Sequence, residues 1–329
     1  MIDFAYFTPI AHIEQRNNLA RLLAGWSERL HKCCLCGIMD GGLCWWSLAE
    51  FPFSMGIIAV YYKKLPEAPL LIALNREEDP DRPFLPPKIQ SGRPRVVCGV
   101  DQPSGGTWAG VNQHGLFVAV VNCPKKVPPA DPRSRGLLCR ELLSCQDAEE
   151  ALDMAQRELL SGCYAGGNFV CLDRMNGGVV HGGNDVEIEK FKPGLHIVSE
   201  NRMNDMHDYR QEFVRRLLTL QRIDSAISFF ALAGRAFSSK PDASGKMGIL
   251  VQKPNKKTVS SMLVSLTEKT PRSIMQFAAG SPDMSPYEDV SALLRQVLST
   301  DRAARAAAAA KEAKAREAAG GVVAAQSEG

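Results

Sequence analysis

An unbroken apolar run, Pro69-Leu70-Leu71-Ile72-Ala73-Leu74, stops at Asn75-Arg76-Glu77-Glu78 and is followed by Asp79-Pro80-Asp81-Arg82-Pro83. A run of that length that stops abruptly at polar residues reads as a buried strand, and the prolines bar its continuation. Such a strand delivers an amide, a guanidinium and two carboxylates together to one end of a sheet; the alternative is a solvated turn. Upstream, Gly56-Ile57-Ile58-Ala59-Val60-Tyr61-Tyr62 is a second strand, joined to the first by Lys63-Lys64-Leu65-Pro66-Glu67-Ala68. A connection of that length suits an antiparallel hairpin, which brings Arg76 near the strand that starts at Gly56.

Further strands are expected at Arg95 to Val100 and Leu116 to Val121, with the turn Asn112-Gln113-His114-Gly115 between them. Others fall at Gly167 to Asp173, Gly178 to Gly183 and Leu195 to Ser199, and a closing hairpin pairs Met247 to Val251 with Thr258 to Leu266. The first two of that later group flank Asn176-Gly177, a strong hairpin turn. Helical spacing of apolar residues predicts helices over Ser134 to Leu143, from Asp147, over Asp208 to Gln221, over Asp224 to Phe237 with Asp224 as cap, and from a cap at Ser285. Blocks of strands alternating with pairs of helices fit a layered α+β sandwich better than a doubly wound parallel sheet.

The chain has 329 residues, 45% hydrophobic and 23% charged, with a net charge of +3. The charge is too small to argue for nucleic acid as a partner. Leu43 to Tyr62 is the most apolar window, but Glu50 and Pro52 interrupt it, so no membrane span is expected there. No charged start followed by an apolar core and a small-residue cleavage site marks a signal peptide. Cys98, Cys123, Cys139, Cys145, Cys163 and Cys171 are scattered through apolar segments and read as free thiols in a reducing, cytoplasmic compartment. Cys33, Cys34, Cys36 and Cys44 lie close together but lack paired Cys-x-x-Cys spacing, and His181, His196 and His207 lack ligand spacing, so no metal and no cofactor is expected. Residues 1–54 differ in character from the chain beyond Met55 and read as an extension, one short helix over 19–30 included. Beyond Asp301 the apolar face disappears, making 301–329 an Ala, Lys and Glu-rich tail.

Several motifs stand in a fixed order: Met55-Gly56-Ile57-Ile58-Ala59-Val60, Asn75-Arg76-Glu77-Glu78, Asp81-Arg82-Pro83, Gly105-Gly106-Thr107-Trp108, Val121-Asn122 and Arg133-Ser134-Arg135-Gly136. In order and spacing, residues 55–300 resemble the NRDE family, also known as the transport and Golgi organisation 2 family. The resemblance implies the αββα sandwich of the N-terminal nucleophile hydrolases. It also implies hydrolysis of a non-peptide amide or related acyl compound, with the nucleophile at the first residue of the mature chain and that residue's α-amine as base. Here that position, behind Met55, is Gly56, which has no side chain, and Glu77 replaces the signature Asp. By the resemblance, Arg76 and Glu77 orient the reacting group and Asn122 and Asn168 face the oxyanion, while Asn75, Trp108 and Asn201 contact substrate. Each has a plainer reading: a structural Arg–carboxylate pair, an Asn closing a turn, an apolar face. The function expected is an amide-hydrolase-like site with little or no covalent activity. The alternative is a non-catalytic binding or carrier protein for an apolar small molecule, lipid-like or haem-like.

Overall fold

The computed structural model describes residues 56–244 and 248–300. The segment 1–54 with its four cysteines and expected helix, and the tail 301–329, lie outside the described residues. Two sheets, antiparallel throughout, form the centre. One is ordered β10 (Gly194–Val198), β1 (Ile57–Tyr62), β2 (Leu70–Glu78), β12 (Lys256–Leu266), β13 (Ile274–Ala278) and β14 (Glu288–Asp289), with β11 (Gln252–Lys253) on β12; the other runs in sequence order from β3 (Phe84–Gln90) to β9 (Val186–Lys190). The strands that matter for the site are β1 (Ile57–Tyr62), β2 (Leu70–Glu78), β4 (Val96–Asp101), β6 (Phe117–Asn122), β7 (Gly167–Leu172), β10 (Gly194–Val198) and β12 (Lys256–Leu266).

Strand alternation divides each apolar run between two cores. Ile58, Val60, Ile72 and Leu74 point between the sheets and meet Val111, Phe117, Ala119, Val121 and Val170 of the opposite sheet. Their neighbours Ile57, Ala59, Leu71 and Ala73 point outward, against α3 (Tyr209–Thr219) and α4 (Ala226–Phe237) through Val214, Leu218, Phe229 and Phe237. On the far side, Val118, Phe169 and Val180 pack on α1 (Arg135–Leu142) and α2 (Ala148–Leu160). The result is four layers, αββα, as expected. A fifth helix, α5, over residues 291–300, places Leu294 and Val297 in the core between the sheets. Each fully buried Leu, Ile or Val contributes about 1.5–3 kcal/mol, so double-faced burial explains why β1 and β2 lack the polar alternation of a surface strand.

Several elements differ from the sequence expectation. The strand expected over Pro69 to Asn75 does not stop there: β2 runs through Glu78, with Glu77 and Glu78 still paired to Thr258 and Lys257 of β12. β3 (Phe84–Gln90) carries Pro86 and Pro87, which an edge strand tolerates because one side of its backbone needs no partner. β9 (Val186–Lys190) and β13 (Ile274–Ala278) were not anticipated, and the first arm of the closing hairpin is only β11 (Gln252–Lys253). The cap of α4 is Ser225, in a reciprocal box with Ser228, not Asp224. Ser285 starts no helix, because β14 (Glu288–Asp289) first pairs with β13; Asp289 Oδ1 then accepts from Ser291 N at 2.8 Å as α5 begins.

The turn before β5 (Ala109–Asn112) sets the approach of α1. A Cβ on Gly106 would stand 2.3 Å from the Gly136 carbonyl carbon and 2.5 Å from Leu137 N, both backbone atoms that cannot swing aside. Gly106→Ala is therefore expected to destabilise the protein by about 1–3 kcal/mol, read as a lowered urea midpoint with an unchanged m-value.

Candidate functional site

A cavity of about 320 Å³ opens where the start of β1, the ends of β2, β4 and β6 and the beginning of α1 converge. Its apolar wall includes Ile58, Leu74, Trp108, Ala119 and Val121, and its charged lining is Arg76, Glu77, Glu78, Arg82, Asp101, Arg133 and Arg135. The residues Asn75 to Glu78 do not form one polar cluster. Because β2 continues through them, Asn75 and Glu77 take the helix-facing side and Arg76 the side between the sheets.

On the inner side, Arg76 lies 4.4 Å over the Trp108 ring and 5.3 Å from Phe84, and its Nη2 donates to Asp101 Oδ1 at 2.9 Å. Arg82 adds a bidentate grip on the same carboxylate, both bonds at 2.7 Å, and Ser104 Oγ donates to Asp101 Oδ2 at 2.6 Å. Burial alone would raise the Asp101 carboxyl. The hydrogen bonds from Arg82 and Ser104 and the charges of Arg82 and Arg76 outweigh it, holding the group below its usual range. Burial lowers the Arg76 guanidinium, against the pull of Glu78 and Asp101.

On the helix-facing side, Glu77 Oε2 accepts the Gly56 N–H at 2.9 Å, and its other oxygen accepts from Arg210 Nη2. Both side chains of this pair are almost wholly buried. Arg210 stands in the first turn of α3 and also donates to the Ile249 carbonyl at 3.0 Å and, through Nη1, to Glu200 at 3.4 Å. Burial raises the Glu200 carboxyl, against the attraction of Arg210. Asn75 gives its amide to the Phe237 carbonyl at 3.0 Å, which ties β2 to the end of α4.

Gly56 has φ +64°, a conformation L side chains rarely adopt. A Cβ built there would stand 3.3 Å from the Asn75 carbonyl oxygen and 3.5 Å from Val121 Cγ1, so a side chain at residue 56 projects toward the inner face. No cysteine among the lining residues replaces a nucleophile. Cys123, next along from Asn122, is buried, and burial pushes its thiol up to about 11, leaving it protonated at neutral pH.

Of the residues anticipated at the site, Gly56, Asn75, Arg76, Glu77, Trp108 and Asn122 line the cavity. Asn122 ends β6 with its side chain partly exposed and no hydrogen-bond partner among the described residues. Asn168 and Asn201 are not among the lining residues. Asn168 donates both amide hydrogens, to the Ser199 carbonyl at 2.8 Å and the Asn201 carbonyl at 2.9 Å, and its oxygen faces His181 Nδ1 at 3.2 Å. Asn201 in turn donates to Asp208 at 3.1 Å. These bonds pin the loop after β10 to β7 and commit both amide hydrogens of Asn168. Arg210, Asp101 and Arg135 were not foreseen as parts of the site. Arg210 is 133 residues from Glu77, a separation at which no local pattern joins them.

Among the described residues no group of three or more His, Cys, Asp or Glu side chains is placed to hold a metal ion, and no helix is long and apolar enough to cross a membrane. Cys98, Cys123, Cys139, Cys145, Cys163 and Cys171 are all free.

Residues 55–273 match the family described as Transport and Golgi organisation 2. No curated protein matches the chain significantly in sequence. Among solved structures, the chain is similar to penicillin V acylase from Agrobacterium tumefaciens, at 13% identity, covering 68% of this chain and 82% of that one with a TM-score of 0.39. A mutant of conjugated bile acid hydrolase from Clostridium perfringens aligns at 12% identity over 72% of this chain and 92% of its own, TM-score 0.41. An N-acylethanolamine-hydrolyzing acid amidase ortholog from Caenorhabditis elegans aligns at 12% identity, over 63% and 91%, TM-score 0.43.

Two outcomes are expected of the charged pairs. Arg210→Met strands the Glu77 charge in the interior and costs about 3–5 kcal/mol, whereas the double variant Glu77→Gln, Arg210→Met recovers much of that loss; denaturant titration of the three proteins measures it. Asp101 has its folded pKa depressed, so its contribution to stability is present above its unfolded value of about 3.9 and is lost as pH falls through the lower folded value. The stability gap between the parent and Asp101→Asn should stay constant from neutral pH down to about 4 and close below it, followed by urea midpoints at stepped pH.

Proposed function

The chain belongs to the Transport and Golgi organisation 2 family, and we propose that its cleft is an amide-hydrolase-like site that binds an acyl or amide compound with little or no covalent turnover. The observation that carries this reading is the Gly56 N–H held at 2.9 Å by Glu77 on the rim of a partly apolar cavity. That is where a carboxylate orients the amine of a nucleophilic first residue, yet the α-carbon here bears no thiol or hydroxyl to attack with. Arg76, stacked on Trp108 and tied to Asp101, serves as the fixed cation beside the reacting group. Asn122 is the amide left to face an oxyanion. The apolar wall of Ile58, Leu74, Trp108 and Val121 receives the acyl part. We place the protein in the cytoplasm, where the free thiols at Cys98, Cys123, Cys139, Cys145, Cys163 and Cys171 stay reduced.

A second reading, a non-catalytic carrier for an apolar small molecule, uses the same cavity. None of its lining residues is His, Cys, Met or Tyr, the side chains that ligate haem iron. That favours a lipid-like over a haem-like ligand.

The test compares a chain beginning at Met55, from which methionine removal exposes residue 56, with its Gly56→Cys variant. At the chain start φ is no longer set by a preceding residue, so Cys is free of the strain it meets within a continuous chain. The variant is expected to acquire covalent labelling by a thiol-reactive acyl probe and to hydrolyse an acyl anilide at least about 10³-fold faster than the parent, while the parent binds the same anilide. Labelling or equal turnover by the parent would overturn the proposal; an inert variant beside a ligand-binding parent would move the function to the carrier.

A further inference from the structure

Four arginines line the cavity, and three of them have carboxylate partners. Arg76 and Arg82 share Asp101, and Arg133 is bound to Glu158 at 2.8 Å while stacking on Tyr164. Arg135 differs. It is half-buried, its Nη1 donates to the Gly166 carbonyl at 2.7 Å, and among the described residues no carboxylate lies within ion-pair distance of it. Burial lowers its guanidinium, with only the more distant Cys123 and Glu78 opposing. A cation desolvated without a counter-charge is a cost that a bound anion removes.

Arg135 is also the first residue of α1, and the helix start faces the cavity, with Pro132 through Gly136 in its lining. Ser134 Oγ accepts from Leu137 N at 3.3 Å, leaving the N–H groups of Arg135 and Gly136 without an acceptor among the described residues. Gly136 sits close against the Gly106 turn, fixing that end of the helix. An independent observation on the opposite wall points the same way. Arg76 is 7% exposed, yet its Nη1 is buried with no hydrogen-bond partner. One wall of the cavity thus holds donors open to an anion and the other a guanidinium with one nitrogen left unpaired, and the surface between them is apolar.

We infer that the α1 wall of the cleft is an anion subsite, in which Arg135 and the first amides of α1 take the carboxylate of an amphiphile whose apolar chain lies along Trp108, Leu74 and Val121. This deepens the proposed reading of the cleft and rests on it: the acyl or amide compound bound there carries a negative charge at its polar end. Arg135 acts as a specificity-determining residue, with no part in bond making.

Calorimetric titration of the full chain with decanoate, decanamide and decyl phosphate tests the assignment. Decanoate is expected to bind about tenfold or more tightly than decanamide, the margin of a charge-assisted pair of hydrogen bonds. Arg135→Gln should abolish that margin by weakening decanoate far more than decanamide, and Arg135→Lys should restore part of it. Equal binding of decanoate and decanamide by the parent, or equal weakening of both by Arg135→Gln, overturns the subsite and leaves the cleft as a neutral ligand site. Tight decyl phosphate binding without decanoate binding overturns the carboxylate assignment in favour of a phosphate monoester. Failure of all three to bind overturns the cleft reading together with the subsite.

Discussion

A carboxylate with none of its side-chain surface in water must find a cation inside the protein, and much of this structure is arranged around that demand at Glu77. Arg210 answers it from the first turn of α3, itself almost fully buried and anchored to the Ile249 carbonyl. The second Glu77 oxygen takes the Gly56 N–H. One side chain therefore joins the start of β1, the end of β2 and the start of α3, the elements whose convergence makes the cleft. An ion pair in such surroundings adds little net stability over an apolar pair of the same shape, but breaking it is costly. Its effect is positional: α3 cannot slide along the sheet without stranding a charge. The extra methylene of Glu relative to Asp is absorbed here, since the carboxylate still reaches residue 56.

Where the layers were legible in the sequence, the reason is double-faced burial. Leu70 to Leu74 and Ile57 to Val60 are apolar at every position because each residue faces one of two cores, and a run with that property belongs in the middle of a sandwich. The signature at residues 75–78 was legible as the polar end of that run, but its division was not. Continuous pairing with β12 keeps the strand period going, which sends Arg76 to Trp108 and Glu77 to Arg210. A reader of the sequence sees four adjacent polar residues, while the protein uses them on opposite faces. For Asn168 the sequence suggests an amide facing an oxyanion, while in the fold its two amide hydrogens go to the carbonyls of Ser199 and Asn201; the two uses look alike in the sequence. Arg210 carried no local signal at all.

Gly56 and the peptide bond on its amino side describe one physical state. With φ at +64°, a side chain at this position in a continuous chain would be strained, and its N–H has a single hydrogen already committed to Glu77. A nucleophile here would need a free amine as base and a backbone released from that torsion, both of which come only with a chain start. Glycine instead lets the same bond to Glu77 form without either. The bond from residue 56 to Glu77 thus forms without a free amine, and the proposed reading of the cleft as a binding site rests on that.

Recognition in such a site depends on donors that are rigid before the ligand arrives. Arg76 meets that condition on three sides: it lies over the rings of Trp108 and Phe84, and Nη2 is fixed by a carboxylate that Arg82 and Ser104 hold in turn. What remains is Nη1, buried and without a partner. An unmet donor of this kind costs about 1–3 kcal/mol, and the fixed guanidinium presents its charge to the cleft without a further cost of ordering the side chain. Asp101 makes this possible by serving two guanidinium groups at once, so that neither turns fully away from the cleft. Shared between Arg76 and Arg82, with a Glu78 oxygen 3.8 Å from each, that carboxylate fixes the geometry of both where the cavity begins.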